Sequence, residues 1–336
     1  MLGIDIGGAH IKCYHVDGRV RHRSFAVWRD PEGLQAALED ILHDLLPFSE
    51  IVLTTSAELC DCFETKRDGV LHVLEALQSA GSRVAPGSSL RVWTLEMSFV
   101  DIEVARANFS SVAAANWLAL SAYAAGLAPR GAALLADLGS TTLDLVPLRD
   151  GKPVPRESTD SGRLVTGELV YTGFRRTPIF ALVSELPYRG SCCPVIPELF
   201  ATTADVYVLL EELVEDSAQH DTADGRALTR ERARERLARC VGADRETFSI
   251  DDAVLAAEAV AAAQRRQIEE GLRKVALTLG ESPRAVIVSG EGENVVRDLV
   301  SEKWPGCHLV SLAEEIGSEA SSAACAFSLV QLGVRI

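Results

Sequence analysis

The stretches LGIDIGGAHIKC (Leu2–Cys13) and LLADLGSTTLDL (Leu134–Leu145) decide the fold, because they are two readings of one pattern. At an offset of 132 residues Asp5 falls on Asp137, Gly7 on Gly139, Gly8 on Ser140 and Ile11 on Leu143. Each stretch reads as an apolar strand, an aspartate, an apolar residue, a tight turn and a second apolar strand. A duplicated α/β unit, with an aspartate near the end of each first strand, explains the match. Two unrelated hairpin turns are the alternative, since aspartate and glycine are common turn residues.

Working outward from these stretches, strand-like and helix-like segments alternate. Leu2–Ile6 and Ile11–Val16 read as strands about a glycine turn. Asp30-Pro31-Glu32 reads as a helix start, with Asp30 as cap and Pro31 in the first turn. Leu34, Leu38, Ile41, Leu42 and Leu45 then form one apolar face. Ile51–Thr55 reads as a buried strand, Val70–Ser79 as a helix, and Asn108–Ala125 as a single small-residue helix. Residues 150–250 are less regular, with Pro178, Pro187, Pro194 and Pro197 and a charged amphipathic helix over Thr229–Arg239. A long alanine-rich helix follows over Asp251–Leu279, its acidic start suiting the helix dipole. Arg284–Ser289 is a buried strand that enters a third glycine turn, and Gly317–Leu332 is a further helix.

The chain has 336 residues, 47% hydrophobic and 24% charged, which describes a folded globular protein of two domains or lobes. Its 33 Lys+Arg against 48 Asp+Glu give a net charge of −15, unsuited to nucleic acid or an anionic membrane as partner. A phosphate ligand must therefore be held locally, by backbone N–H groups, a few cations and a divalent metal. Ala107–Pro129 lacks charge, but its Asn, Ser and Tyr residues mark a buried helix rather than a membrane span. No secretory signal opens the sequence, and eight cysteines are too sparse for a disulfide scaffold, so the expected location is cytoplasmic. Cys60-x-Cys62 and Cys192-Cys193 lack a zinc-type partner pair.

An Asp-x-Gly turn at a strand end brings two kinds of group together. The backbone can approach a phosphate through Gly7 and Gly8, or through Gly139, Ser140, Thr141 and Thr142, with N–H groups aimed at its oxygens. Asp5 and Asp137 can each hold Mg²⁺, an oxygen-seeking cation, and Lys12 can add a charge. Two such turns facing one another would clamp a di- or triphosphate and its metal. The third turn, SGEGEN (Ser289–Asn294), puts Gly290 and Gly292 where a base or substrate edge can pass over bare backbone. It is neither a Walker loop nor a dinucleotide fingerprint.

In order and spacing, Leu2–Lys12, Leu134–Leu145 and Val286–Asn294 resemble the two phosphate motifs and the adenosine motif of the actin / sugar kinase / Hsp70 superfamily. The resemblance implies an α/β fold of two ribonuclease H-like (actin-like ATPase) lobes around a central cleft. The first lobe would comprise residues 1–128 with 316–336. The second would be 129–315, carrying an inserted substrate or cap region at about 150–250. The wording LGIDIGGAHIK, TTSAELCDCF (Thr54–Phe63) and DLGSTTLDLVPL is similar to the hydantoinase/oxoprolinase branch. SGRLVTGELVYTGFRRTPIFAL (Ser161–Leu182) and ELFATTADVYVLL (Glu198–Leu210) resemble its short single-chain members, the tetrahydromethanopterin-linked one-carbon transfer pathway proteins. One departure is that only Met1–Ile4 precede Asp5, which makes the first strand short.

That family includes a transferase of methanofuran biosynthesis. The resemblance thus implies a small-molecule diphosphate and a phenolic amine as substrates: an aminomethylfuran-methyl diphosphate loses pyrophosphate to the phenol of γ-glutamyltyramine, giving an aryl ether. Mg²⁺ near Asp5 and Asp137 would neutralise the leaving group. Asp144, Glu168 or a turn aspartate would take the phenolic proton. Arg163, Arg175 and Arg176 offer forks for a diphosphate or carboxylate, Tyr171 a stacking face, and His10 a substrate contact. Each arginine can equally form a salt bridge with nearby acids such as Glu168 and Glu185, and Tyr171 can be a core residue. An ATP-dependent kinase, or an ATP-driven hydrolase of the ring-opening type, would use the same turns for ATP. An ATP-switched assembly protein would use them without a chemical product.

Overall fold

The computed structural model describes residues 1–334. From the N-terminus run β1 (Leu2–Ile6), β2 (His10–His15), β3 (Val20–Ser24), α1 (Leu34–Asp44), β4 (Glu50–Thr55), α2 (Lys66–Val84), β5 (Ser89–Trp93) and β6 (Phe99–Asp101). Then come α3 (Ile102–Ala107), α4 (Phe109–Val112), α5 (Asn116–Ala124), β7 (Ala132–Leu138), β8 (Leu143–Arg149), β9 (Lys152–Pro153), α6 (Asp160–Thr166) and β10 (Leu169–Val170). The remainder is β11 (Glu185–Tyr188), β12 (Ser191–Pro194), α7 (Thr203–Leu209), α8 (Arg230–Cys240), α9 (Ile250–Leu279), β13 (Ala285–Ser289), α10 (Glu293–Lys303), β14 (His308–Ser311), α11 (Leu312–Ile316), α12 (Ser318–Ser322) and α13 (Ala324–Val334). The chain divides into two compact units. One contains Met1–Leu135, Val146–Gly162 and the segment from Val310 onward; the other contains Ala136–Leu145 and Arg163–Leu309.

The first sheet has the order β3-β2-β1-β4-β5-β6. Despite its length, β1 is a buried inner strand, antiparallel to β2 and parallel to β4, with Asp5 opposite Lys12 on one side and Thr54 on the other. Its apolar residues meet α1 and α2 in one core, and α13 packs on β1, β2 and β4. The second sheet has the order β10-β8-β7-β13-β14, with β9 added to β8. Each sheet therefore places its first strand between the second and a later crossover strand. This is the ribonuclease H-like order, now present twice, and it is why the two Asp-x-Gly turns are found at corresponding strand ends.

Several local expectations are corrected. The helix expected from Asp30 begins at Leu34, because the Asp30 carboxylate accepts from the N–H of Gly33 and closes a separate turn first. The Asn108–Ala125 segment is not one helix: it breaks between α4 and α5, where Ala114 has φ of 50°. The Gly317–Leu332 helix is likewise two, α12 and α13, divided at Ala323. By contrast α9 matches its sequence signals. Ser249 and Asp252 exchange capping hydrogen bonds at its start, and Gly280 ends it in the left-handed region. In the second unit α7, α8 and α9 share one core with the β11–β12 hairpin. Among the described residues no helix is long and apolar enough to cross a membrane.

Candidate active site

In the first unit β1 and β2 are joined by a turn that the N–H of Gly7 closes onto the carbonyl of His10 at 2.9 Å. The carbonyls of Gly8 and Ala9 accept from Val27 and Phe25, both at 2.9 Å. The N–H groups of Gly8 and Ala9 have no partner among the described residues. Two bare donors thus lie side by side at a strand end, where an anion can take them. Asp5 is at that same end, its Oδ1 buried without a partner. Burial raises its carboxyl to about 6, against the pull of Lys12 opposite. His10 begins β2, paired with Ser24.

Beside this turn runs the loop after β4. A Cβ on Gly8 would come within 3.0 Å of Cys60 Sγ, and one on Gly7 within 3.7 Å of Ser56 Oγ. The loop carries Glu58, which was not singled out from the sequence. It is 2% exposed, and neither carboxylate oxygen has a hydrogen bond of good geometry among the described residues. Burial pushes its pKa to about 7; Asp160 adds to the rise while Lys66 and the N–H groups of Glu58 and Ala114 oppose it. A signal was available: Thr54-x-x-x-Glu58 after β4 is echoed by Ser289-x-x-x-Glu293 after β13, and the hydroxyls of Thr54 and Ser289 are both buried without a partner.

In the second unit the same turn recurs. The Gly139 N–H closes onto the carbonyl of Thr142 at 3.0 Å. The Gly139 carbonyl accepts from Phe174 at 2.9 Å, and that of Ser140 from Arg175 and Arg176 at 3.0 and 2.9 Å. Again two adjacent N–H groups, of Ser140 and Thr141, have no partner among the described residues. The segment behind the turn passes so close that a Cβ on Gly173 would lie 2.3 Å from the Ser140 carbonyl oxygen. The third turn adjoins Asp137. Gly290, at φ of 90°, would bring a Cβ within 2.9 Å of Asp137 Oδ1 and 2.2 Å of the Leu138 oxygen, so only glycine fits. Gly292 donates to that same Leu138 carbonyl at 3.0 Å.

The structure separates the remaining candidates. Arg175 pairs with Glu291 of the third turn, and Arg176 lies 3.3 Å from Asp221. Arg175, Phe174 and Glu291 line a concavity of about 520 Å³ together with Glu212, Glu215 and Asp216. Arg163 is 1% exposed; its guanidinium lies 2.8 Å from Asp144 and donates to the Glu168 carbonyl at 3.1 Å. The Glu168 side chain is itself buried and accepts from Thr166. These three therefore form a buried polar cluster at the β8–β10 edge. Tyr171 is 64% exposed and opens onto another hollow of about 500 Å³, with Leu169, Val170, Gly271 and Lys274. All eight cysteines are free thiols, and no group of three metal-ligating side chains occurs among the described residues.

Magnesium commonly takes only one or two protein carboxylates, completing its shell from phosphate and water. The buried, unpartnered Oδ1 of Asp5 fits that demand, since a bound cation would supply the charge it lacks.

Comparison with known proteins shows the family. The family model of Hydantoinase/oxoprolinase matches residues 51–327. Over 335 residues, 99% of this chain and 97% of the relative, the sequence is 31% identical to (4-{4-[2-(gamma-L-glutamylamino)ethyl]phenoxymethyl}furan-2-yl)methanamine synthase of Methanocaldococcus jannaschii. The synthase of the same name from Methanococcus vannielii is 30% identical over 198 residues, covering 58% of this chain and 88% of that one. Among solved structures, the "PilM-PilN type IV pilus biogenesis complex" aligns with a TM-score of 0.50 at 15% identity, over 99% of this chain and 98% of that chain, which is a likeness of fold.

Proposed function

This chain belongs to the hydantoinase/oxoprolinase family, and from that premise we propose that it is a transferase forming the aryl ether of a furan-2-yl methanamine product. The observation that carries the reading is the match along 99% of the chain to a synthase whose name specifies that ether. The substrates are an aminomethylfuran-methyl diphosphate and γ-glutamyltyramine. The phenolic oxygen bonds to the furfuryl-type carbon, the carbon–oxygen bond to diphosphate breaks, and its electron pair leaves with pyrophosphate. The furan ring stabilises positive charge at the reacting carbon, so the protein's larger task is to receive the departing anion.

In each unit we assign phosphate recognition to the Asp-x-Gly turn. The bare N–H groups of Gly8 and Ala9, and those of Ser140 and Thr141, suit phosphate oxygens, and Lys12 adds a cation. Asp5 and Asp137 are the residues that would hold Mg²⁺, which supplies neutralising charge when bound. The phenolic proton leaves as the ether forms, and Asp144, Glu168 or a turn aspartate is proposed to take it. Glu58 joins that group through its raised pKa. In solution the protein is expected to be cytoplasmic, with no nucleic-acid or membrane partner.

The test is direct. The purified protein is incubated with both substrates and Mg²⁺, and the ether and pyrophosphate are quantified by mass. Equal amounts of both support the proposal. Hydrolysis of ATP, with no ether formed from the furan diphosphate, would replace it with the ATP-dependent kinase or hydrolase reading.

A further inference from the structure

The segment behind the second turn is fixed by a buried polar network that the reaction chemistry does not use. Its centre is Gln264, on the otherwise apolar face of α9 and fully buried. Gln264 Nε2 donates to Thr172 Oγ1 at 2.9 Å and to the Gly173 carbonyl at 2.8 Å. Its Oε1 accepts from the Tyr207 hydroxyl at 2.6 Å. Both hydrogens of the amide and its oxygen are engaged, which fixes the side chain in one orientation. Thr203 Oγ1 also donates to the Gly173 carbonyl, at 2.8 Å, and the Gly173 N–H donates to Thr177 Oγ1 at 2.8 Å. The Phe174 ring stacks on Tyr207 with centroids 4.3 Å apart.

This network reaches the turn through Gly173 and the residues after it. Gly173 rests on Ser140 and Thr141, and the next three N–H groups hold the carbonyls of Gly139 and Ser140. Because those carbonyls are held from behind, the Ser140 and Thr141 N–H groups are left for a ligand. A core needing only volume at residue 264 would take leucine or methionine without these three hydrogen bonds. We propose that Gln264 is a positioning residue for the second phosphate turn, setting its free N–H groups at the geometry that receives diphosphate. The inference rests on the diphosphate reading above.

The discriminating variant is Gln264→Glu. It keeps the shape and can still accept from Tyr207, but as a carboxylate it repels the Gly173 carbonyl instead of donating to it. Binding of Mg²⁺-pyrophosphate is measured calorimetrically for the folded full-length proteins, as a ratio to wild type at each pH. At pH 8 the variant is expected to bind 10- to 100-fold more weakly, the order produced by misplacing binding groups by about 1 Å. As the pH falls toward 6 the ratio should recover in part, because a buried carboxyl takes up a proton early and its single O–H can then donate to the Gly173 carbonyl. Val260→Ala, a cavity variant on the same helix, controls for general loosening and should bind as wild type does. Should Gln264→Glu fail to fold, Thr203→Val removes a second short side-chain hydrogen bond to the Gly173 carbonyl, which leaves the longer one from Thr177 Oγ1 at 3.4 Å, and carries the same expectation. A folded Gln264→Glu or Thr203→Val protein within twofold of wild type at pH 8 overturns the positioning role alone. A wild-type protein that binds no Mg²⁺-pyrophosphate overturns the diphosphate reading and this inference with it.

Discussion

Replacing Gly173 with alanine adds one methyl group where the structure has no room for it. The new Cβ would stand 2.3 Å from the Ser140 oxygen and 2.4 Å from the carbonyl carbon and nitrogen of Thr141. Those atoms are backbone and cannot rotate aside. Restoring an ordinary contact of about 3.4 Å requires the turn and the 172–176 segment to separate by roughly 1 Å. The separation stretches the three hydrogen bonds from Phe174, Arg175 and Arg176 that hold the turn. Overpacking of this kind costs about 1–3 kcal/mol of stability, while a 1 Å displacement of binding groups costs on the order of 10²-fold in rate. Gly173→Ala is therefore expected to fold, with kcat/KM for ether formation down by about two orders of magnitude. The assay is initial-rate kinetics by mass detection, alongside denaturant unfolding of the same preparation. A variant with normal kinetics would refute the claim that this turn meets the reacting diphosphate.

Three further outcomes follow from the same structure. Asp137→Asn should abolish ether formation with unfolding midpoint nearly unchanged, and retained turnover would remove the metal-holding role assigned to Asp137. Arg163→Leu should act on stability rather than on KM: it leaves the Asp144 carboxylate without its guanidinium partner, at a cost of about 3 kcal/mol in denaturant unfolding. Normal stability with a raised KM would instead make Arg163 a substrate contact. Glu58 gives a pH signature. Its folded pKa of about 7 lies above the ordinary 4.5, so the folded state binds the proton more tightly and wild-type stability falls as pH rises through that interval. Glu58→Gln should remove the share of this slope due to Glu58, about 3 kcal/mol between pH 4 and pH 8, and leave the share due to Asp5. An unchanged slope would show that Glu58 does not titrate as described.

The repeat was legible because each turn must satisfy the same constraints locally: an apolar strand, a carboxylate at its end, and a residue that closes the turn onto the fourth position. The long helix α9 was legible for the same reason, since Ser249, Asp252 and Gly280 act within a few residues of themselves. The break at Ala113–Ala115 was not, because every residue there is a good helix former and the break comes from tertiary context, where Thr55 bridges to Ala113. Arg163 reads as a surface fork from its charge, and only the sheet edge shows that Asp144 meets it in the interior. Gln264 left a trace, a polar residue between Val260 and Ile268 on the apolar stripe, but its partners Thr172 and Tyr207 are distant in sequence. Glu58 stood inside a quoted motif, yet burial, which gives it interest, is a property of packing.

The main claim, that the paired bare N–H groups of each turn receive phosphate oxygens, can be observed at the atoms concerned. Protein labelled with ¹⁵N at glycine, alanine, serine and threonine, its backbone amides assigned, is titrated with Mg²⁺-pyrophosphate. The amide resonances of Ser140 and Thr141 in one unit, and those of Gly8 and Ala9 in the other, should each shift along a saturating curve, and Gly173→Ala should weaken the response at Ser140 and Thr141. Saturable binding that leaves those four amides unmoved would contradict the account.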